Sequence, residues 1–308
     1  MCFFAGNTQR FTSINIINSS FTANNATNIE DSVPAGLFDV GECAGAHISS
    51  CSCVGILNSS FVDNIGIGLC LRDVAGTCEI NSTSLSFPLF DRGTIAGADN
   101  DMINSFLPGD VSINIALDVR GTTFSGNTGA SLLRLESEPS QPEDPLAGGA
   151  ALDILDVPIL TLVDLVFENN TGRQGSGVHL DSCTATIMWN CTFIGNSATH
   201  EGGSVATVNS HGKGLLLGAS SISNSVSLTG GAIYGGSGAS IIVTNGTRLT
   251  NNTAVTNGGA LSCQGCQALT LQLGSSATSN MAQENGGACY CEGCTTFQLQ
   301  QVQLGNNR

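Results

Sequence analysis

The sequence is organised by a repeat of about 28 residues, a period within the range of solenoid proteins. A diglycine followed by a small residue recurs through the second half of the chain, with one degenerate copy at Gly175-Ser176-Gly177. The copies begin at Gly148, Gly175, Gly202, Gly230, Gly258 and Gly286. A period held this closely predicts a stack of equivalent structural units.

A second motif keeps phase with the diglycine: an apolar residue stands three positions before an asparagine. In the first half it occurs as Phe21/Asn24, Phe61/Asn64 and Phe124/Asn127. In the second half its asparagines are Asn170, Asn196, Asn224, Asn252, Asn280 and Asn307, with Asn224 only two positions after Ile222. Residues at one phase of a stacked repeat face one another, so these six side chains are predicted to form one ladder along a corner.

Short alternating stretches between the motifs predict strands. Ser13-Ile14-Asn15-Ile16 and residues 268–273 alternate polar with apolar residues, which is the pattern of a strand with one buried face. The 39 glycines are too many for long helices. A propeller blade needs roughly 40 residues, so the shorter period favours one coil of a parallel β-helix. The predicted fold is all-β, a single β-helix domain over residues 1–308.

The repeat loses phase three times in the first half of the chain. Insertions are predicted at 25–42, 70–111 and 131–147, where loops would leave a corner of the solenoid. Residues 1–147 are therefore expected to form irregular coils, and residues 148–308 regular ones. Both ends lie within the pattern, so we expect a segment of a longer protein or stacking on other subunits.

Charge excludes some partners. The chain has 24 acidic and 9 basic residues and a net charge of -15, which argues against nucleic acid and against docking on an anionic membrane. No apolar run approaches the roughly 18 residues that a membrane-spanning helix needs, so no direct membrane insertion is expected.

Cysteines and glycosylation sequons point to a secreted or extracellular surface location. Thirteen cysteines are too many for ordinary cytosolic use. Eight Asn-x-Ser/Thr sequons are candidates for N-glycans. They begin at Asn18, Asn25, Asn58, Asn81, Asn169, Asn190, Asn245 and Asn251.

Two Cys-x-x-Cys motifs stand one period apart. Cys291 follows Cys263 by one full period of the repeat, and Cys294 follows Cys266 by the same step. These spacings favour disulfides, between coils or within each motif, over a metal site or free thiols. The further disulfide candidates are Cys70, Cys78, Cys183 and Cys191. Neither a metal nor a cofactor is predicted.

Catalytic candidates are few. Asp153 and Asp181 also lie one period apart, with His179 beside the latter, but a solvated strand face is the favoured interpretation of all three. The Asp99-Asn100-Asp101 segment lacks the other ligands of a calcium loop. The four histidines keep no mutual spacing and are interpreted as incidental. They are His47, His179, His200 and His211.

The paired Gly-Gly-Ala-(Ile/Leu/Val) and Phe-x-x-Asn motifs resemble the repeat of chlamydial polymorphic outer membrane proteins. Similar repeats occur in large extracellular proteins of algae and other protists. The resemblance covers residues 148–308 well and residues 1–147 loosely. It implies a right-handed parallel β-helix exposed outside the cell, serving adhesion or surface structure.

We therefore expect a non-enzymatic, extracellular rod with a structural or adhesive role. A component of a surface or flagellar filament is one form that this role could take. Its expected partners are other copies or other extracellular proteins, bound through the β-helix ends and the loops. The alternative is a polysaccharide-active lyase or hydrolase, a class that includes many parallel β-helices. Against it, the chain offers only Trp189, Tyr234 and Tyr290 for stacking on sugars beyond its phenylalanines.

Overall fold

The computed structural model describes residues 2–3, 14–24, 43–49, 51–72, 74, 116–129, 149–210 and 214–308. Within these ranges the chain forms strands, turns and bends and no helix, and therefore no helix that could cross a membrane. The strands form four sheets in which every pairing is parallel. Each sheet takes one strand from successive coils, which is the arrangement of a parallel β-helix. The predicted fold class is confirmed.

The strands of the four sheets are given in their order of pairing. The first sheet contains β1 Cys2–Phe3, β4 Cys43–Ser49, β7 Ile67–Arg72, β10 Leu152–Leu155, β14 Val178–Asp181, β18 Val205–Val208, β22 Ile233–Gly235, β26 Leu261–Gln264 and β30 Cys289–Glu292. The second contains β2 Ile14–Ile17, β5 Val54–Leu57, β8 Leu117–Arg120, β11 Ile159–Val163, β15 Ala185–Trp189, β19 Gly214–Gly218, β23 Ser240–Thr244, β27 Ala268–Gln272 and β31 Thr296–Gln300. The third contains β3 Ser20–Thr22, β6 Ser60–Val62, β9 Thr123–Ser125, β12 Val166–Glu168, β16 Thr192–Ile194, β20 Ser221–Ser223, β24 Arg248–Thr250, β28 Ser276–Thr278 and β32 Gln303–Gly305. The short fourth sheet contains β13 Thr171–Gly172, β17 Ser197–Ala198, β21 Val226–Ser227, β25 Thr253–Ala254 and β29 Met281–Ala282.

The insertions increase the number of residues between equivalent positions on successive coils, but these positions still stack on one another. Asn24, Asn64 and Asn127 occupy one position on successive coils although 40 and 63 residues separate them. The predicted insertions at 25–42 and 131–147 lie outside the described residues. The insertion predicted at 70–111 was placed too early, because Cys70 to Arg72 continue strand β7 and pair with β10.

A stack of phenylalanines forms part of the core. The rings of Phe21, Phe61, Phe124, Phe167 and Phe193 lie parallel, with centroids 4.6–5.0 Å apart. The same column continues through Ile222, Leu249 and Ala277, which are fully buried. Strand spacing sets the ring spacing, so the motif phenylalanines contribute both buried apolar area and aromatic contact.

The motif asparagines form the ladder along the neighbouring corner. The side-chain amide of Asn170 donates to Asn196 Oδ1 at 3.0 Å and to the carbonyl of Phe124 on the preceding coil at 3.1 Å. Asn252 and Asn280 repeat this arrangement, and Asn307 donates to the carbonyl of Ala277 on the preceding coil. The spacing of the motif follows from this geometry, since the amides bond to the apolar residue one coil below and, where an asparagine follows in the ladder, to that asparagine.

Asn224 is not a member of the ladder, so this part of the prediction was wrong. The ladder position on its coil belongs to Ser225, which lies three residues after Ile222 and whose N–H donates to Asn252 Oδ1 at 3.0 Å. The short serine side chain cannot reach Asn196. Instead Ser204 bridges the gap, 3.4 Å from the Asn196 amide and 2.7 Å from Ser225 Oγ. Asn224 turns the corner itself, with a φ of 55°.

The diglycines make close corners. The first glycine has a positive φ, as at Gly258 (70°), a conformation that glycine adopts without strain. The second glycine packs against its equivalent on the next coil, so a Cβ on Gly259 would collide with the carbonyl oxygen of Gly287. The two glycines therefore serve different purposes, and the second position also accommodates the small serine Ser176 in the degenerate copy.

Candidate functional site

A buried ion-pair cluster lies on the outer face of the first sheet. Asp153 stands between the core residues Leu152 and Ile154 on β10, and alternation along the strand turns its side chain away from the core. His179 pairs with it in register on β14. The His179 Nδ1 atom lies 2.7 Å from Asp153 Oδ1. Because an ionised carboxylate only accepts hydrogen bonds, Nδ1 is the donor in this contact.

Arg72 completes the ion pair. Its Nη2 atom lies 3.7 Å from the second carboxylate oxygen of Asp153, and both side chains are 6% exposed. His47 stands in the same register column as Cys70 and Asp153. Burial lowers the pKa of His47, the positive charge of Arg72 lowers it further, and Asp153 acts in the opposite direction.

These contacts correct the expectation of a solvated face. Asp153 is 4% exposed and His179 is 3% exposed, so neither is surface decoration. Asp181, the third residue of the predicted trio, is apart from them: it accepts hydrogen bonds from Ser182 Oγ and Asn209 Nδ2. The buried nitrogens His47 Nε2, Arg72 Nε and His179 Nε2 have no hydrogen-bond partner among the described residues.

The sequence motifs missed Arg72 and the involvement of His47. Neither residue repeats at the regular period, because the long insertions separate their coils from the regular half. The alternation of Leu69, Cys70, Leu71 and Arg72 on β7 was the available signal. This alternation places Cys70 and Arg72 on the outer face. Which residues neighbour them there depends on how the strands of adjacent coils pair, and the sequence alone does not give that pairing.

The disulfides occur within motifs and between coils. Cys263 bonds Cys266, and Cys291 bonds Cys294, with Cα–Cα distances of 5.7 and 6.0 Å. Cys70, another predicted candidate, bonds Cys43 on the adjacent coil. Cys53 is also disulfide-bonded. Cys78 lies outside the described residues.

Cys183 and Cys191 are free thiols, so their prediction as disulfide candidates was wrong. Both face the core, and burial raises the pKa of each thiol to about 12. Cys51 and Cys289 are free as well, with thiol pKa values raised by burial to about 11 and about 12. Thiols that remain protonated at neutral pH are poor nucleophiles and poor ligands, which gives these four cysteines a packing role.

All six described sequon asparagines turn a corner with positive φ. They are Asn18, Asn58, Asn169, Asn190, Asn245 and Asn251. Asparagine tolerates this conformation better than most residues, so each sequon asparagine has a conformational role whether or not it is modified. Five are exposed, whereas Asn245 is half-buried and the hydroxyl of its Thr247 donates to Thr244 O at 2.6 Å. Asn25 and Asn81 lie outside the described residues.

The class that these features define is a parallel β-helix built from stacked Gly-Gly and Phe-x-x-Asn coils. Residues 246–264 match the family model of the Chlamydia polymorphic membrane protein (Chlamydia_PMP) repeat. The matched segment contains β24, β25, the Gly258-Gly259 corner and β26, and confirms the resemblance noted in the sequence. No curated protein and no solved structure matches the chain.

Proposed function

We propose that the chain is an extracellular, non-enzymatic β-helix that serves structure and adhesion as part of a cell surface or a filament. The observation that carries this proposal is the disulfide between Cys43 and Cys70, which joins adjacent coils, together with the two disulfides of the Cys-x-x-Cys motifs. Such bonds persist in oxidising compartments. The match of residues 246–264 to a Chlamydia membrane-protein repeat supports a surface role.

The partners that we propose are other copies of the protein or other extracellular proteins. Phe297, Leu299 and Leu304 are 49%, 43% and 45% exposed, although their register partners one coil earlier are buried. An exposed apolar patch of this kind favours contact with the surface of another protein. N-glycans at the exposed corner asparagines would leave this patch free.

Two experiments test the proposal. Antibodies to the folded chain should label intact cells that produce it, and labelling only after permeabilisation would contradict an extracellular location. The purified chain should self-associate in sedimentation velocity, whereas Phe297→Ser/Leu299→Ser should remain monomeric. A wild-type chain that stays monomeric at all concentrations would refute binding through this patch. The matched control is Ile194→Ser, because Ile194 is an exposed residue on the side of the solenoid. Ile222 is unsuitable for this purpose because it lies in the core.

An enzymatic alternative has one specific observation in its favour. The hydrogen bond between His179 Nδ1 and Asp153 fixes the imidazole, an arrangement also found where a histidine acts as a general base. The test is to incubate the protein with acidic and neutral polysaccharides and to measure chain cleavage. Cleavage that Asp153→Asn and His179→Gln abolish, but Asp181→Asn does not, would establish the alternative. Absence of cleavage across both polysaccharide classes would agree with the structural role.

A further inference from the structure

The two Cys-x-x-Cys motifs occupy one corner on adjacent coils. Cys263 and Cys291 are register partners on β26 and β30, and each is followed three residues later by its disulfide partner. The sulfur atoms of Cys263, Cys266 and Cys294 all lie within 4.8 Å of one another. The fourth sulfur, that of Cys291, is bonded to Cys294 and so adjoins the same cluster.

The backbone around these sulfurs provides the turn and the space that a cluster needs. Gly265 and Gly293 stand before the second cysteine of each motif, with φ values of 70° and 66°. On the coil below, Gly235 takes the register position of Cys263. A Cβ there would lie 2.8 Å from Cys266 Sγ and 2.9 Å from Cys263 Sγ, so any larger residue would push into the cluster.

We propose that these four cysteines, when reduced, form a tetrathiolate site for one thiophilic metal ion, with zinc as the physiological candidate. Zinc binds four thiolates tetrahedrally at about 2.3 Å, which places the sulfurs about 3.8 Å apart. Three of the sulfurs already lie within 4.8 Å of one another, and reduction lets each bonded pair move apart to the spacing that zinc needs. Cys291, released from Cys294 by reduction, is the fourth ligand.

The disulfide and metal-bound forms are alternatives that differ by a balanced reaction. Each disulfide accepts two electrons and two protons. An external dithiol supplies both and becomes a disulfide, whereas a phosphine supplies the electrons and becomes its oxide while water supplies the protons and the oxygen. The four thiols then bind a divalent ion and release four protons, leaving a site with two negative charges. Soft thiolate ligands select zinc, copper(I) or cadmium over calcium and magnesium. The site therefore links the redox state of this corner to metal binding: the disulfide form supports the extracellular role proposed above, and the reduced form binds the metal.

Cobalt(II) titration of the reduced protein tests the proposal. The full chain is reduced anaerobically with a phosphine, the phosphine is removed, and retention of the fold is checked by circular dichroism. The expected result is the charge-transfer and visible spectrum of tetrahedral cobalt thiolate, saturating at one ion per chain and displaced by zinc. Folded, reduced protein without this spectrum would overturn the proposal.

Variants assign the spectrum to these residues. Cys263→Ala/Cys266→Ala should abolish it, whereas the matched control Cys183→Ala/Cys191→Ala should retain it. Cys294 is only half-buried, so Cys294→Ala should disturb the fold less than the double substitution. It should weaken cobalt binding at least about tenfold, because loss of a residue that merely hydrogen-bonds a metal ligand already lowers metal affinity by that factor. An unchanged affinity in folded Cys294→Ala, or a spectrum lost only in the control, would refute the assignment.

Discussion

Removal of one asparagine from the ladder should destabilise the solenoid strongly. In Asn252→Ala the N–H of Ser225 loses its acceptor, and Asn280 Oδ1 and Ile222 O each lose a donor, at a position that is fully buried. An unsatisfied buried donor costs about 1–3 kcal/mol, and each further hydrogen bond contributes about 0.5–1.5 kcal/mol. The expected loss in the free energy of unfolding is therefore about 2–6 kcal/mol.

The preceding residue provides a matched control. Asn251 is exposed, has a φ of 57°, and makes a side-chain hydrogen bond to Asn224. Asn251→Gly keeps the backbone conformation accessible, so its effect should stay within about 0.5 kcal/mol, as for most surface substitutions. Urea unfolding of unglycosylated protein, followed by circular dichroism, measures both changes. Asn252→Ala within about 1 kcal/mol of Asn251→Gly would refute the energetic role of the ladder.

Two further predictions concern the ladder gap and the buried thiols. Ser204→Ala should destabilise the protein by about 1–2 kcal/mol, because the amide of Asn196 and the hydroxyl of Ser225 lose their bridge. The loss should shrink in a Ser225→Asn background, and equal losses in both backgrounds would contradict the bridging role. Burial holds the thiol pKa of Cys183 and Cys191 at about 12, above the ordinary 9.0. Unfolding exposes these thiols and allows them to ionise. Their contribution to the free energy of unfolding should therefore be fully present below about pH 9 and should be lost as the pH rises towards 12. Melting temperatures across this range should fall less steeply in Cys183→Ala/Cys191→Ala, and an unchanged slope would contradict the assignment.

The periodic part of the fold was predictable because one geometry recurs in every coil. A fixed number of residues between the apolar position and the ladder position follows from the hydrogen bond between coils. The error at Asn224 arose from following residue type instead of spacing: Ile222 plus three residues is Ser225, and a serine is accommodated there because Ser204 completes the bridge. Spacing was the more reliable guide.

The candidate site was less predictable. Asp153 and His179 lie 26 residues apart, one coil of the structure, yet the sequence grouped Asp153 with Asp181, one nominal period away. Coil length varies by one or two residues at corners, and this changes which side chains become neighbours. The disulfide predictions for Cys183 and Cys191 failed for a related reason: Cys183 lies beside Val157, and among the described residues no free thiol faces it from an adjacent coil.

The ladder and the ring stack both depend on the register of the stacked coils, and an experimental density map of residues 149–308 tests that register most directly. The Asn252 amide should lie about 2.9 Å from Asn280 Oδ1, and the Phe167 and Phe193 rings should stack with centroids about 4.6 Å apart. Separation of either pair by more than two strand spacings, about 10 Å, would contradict it.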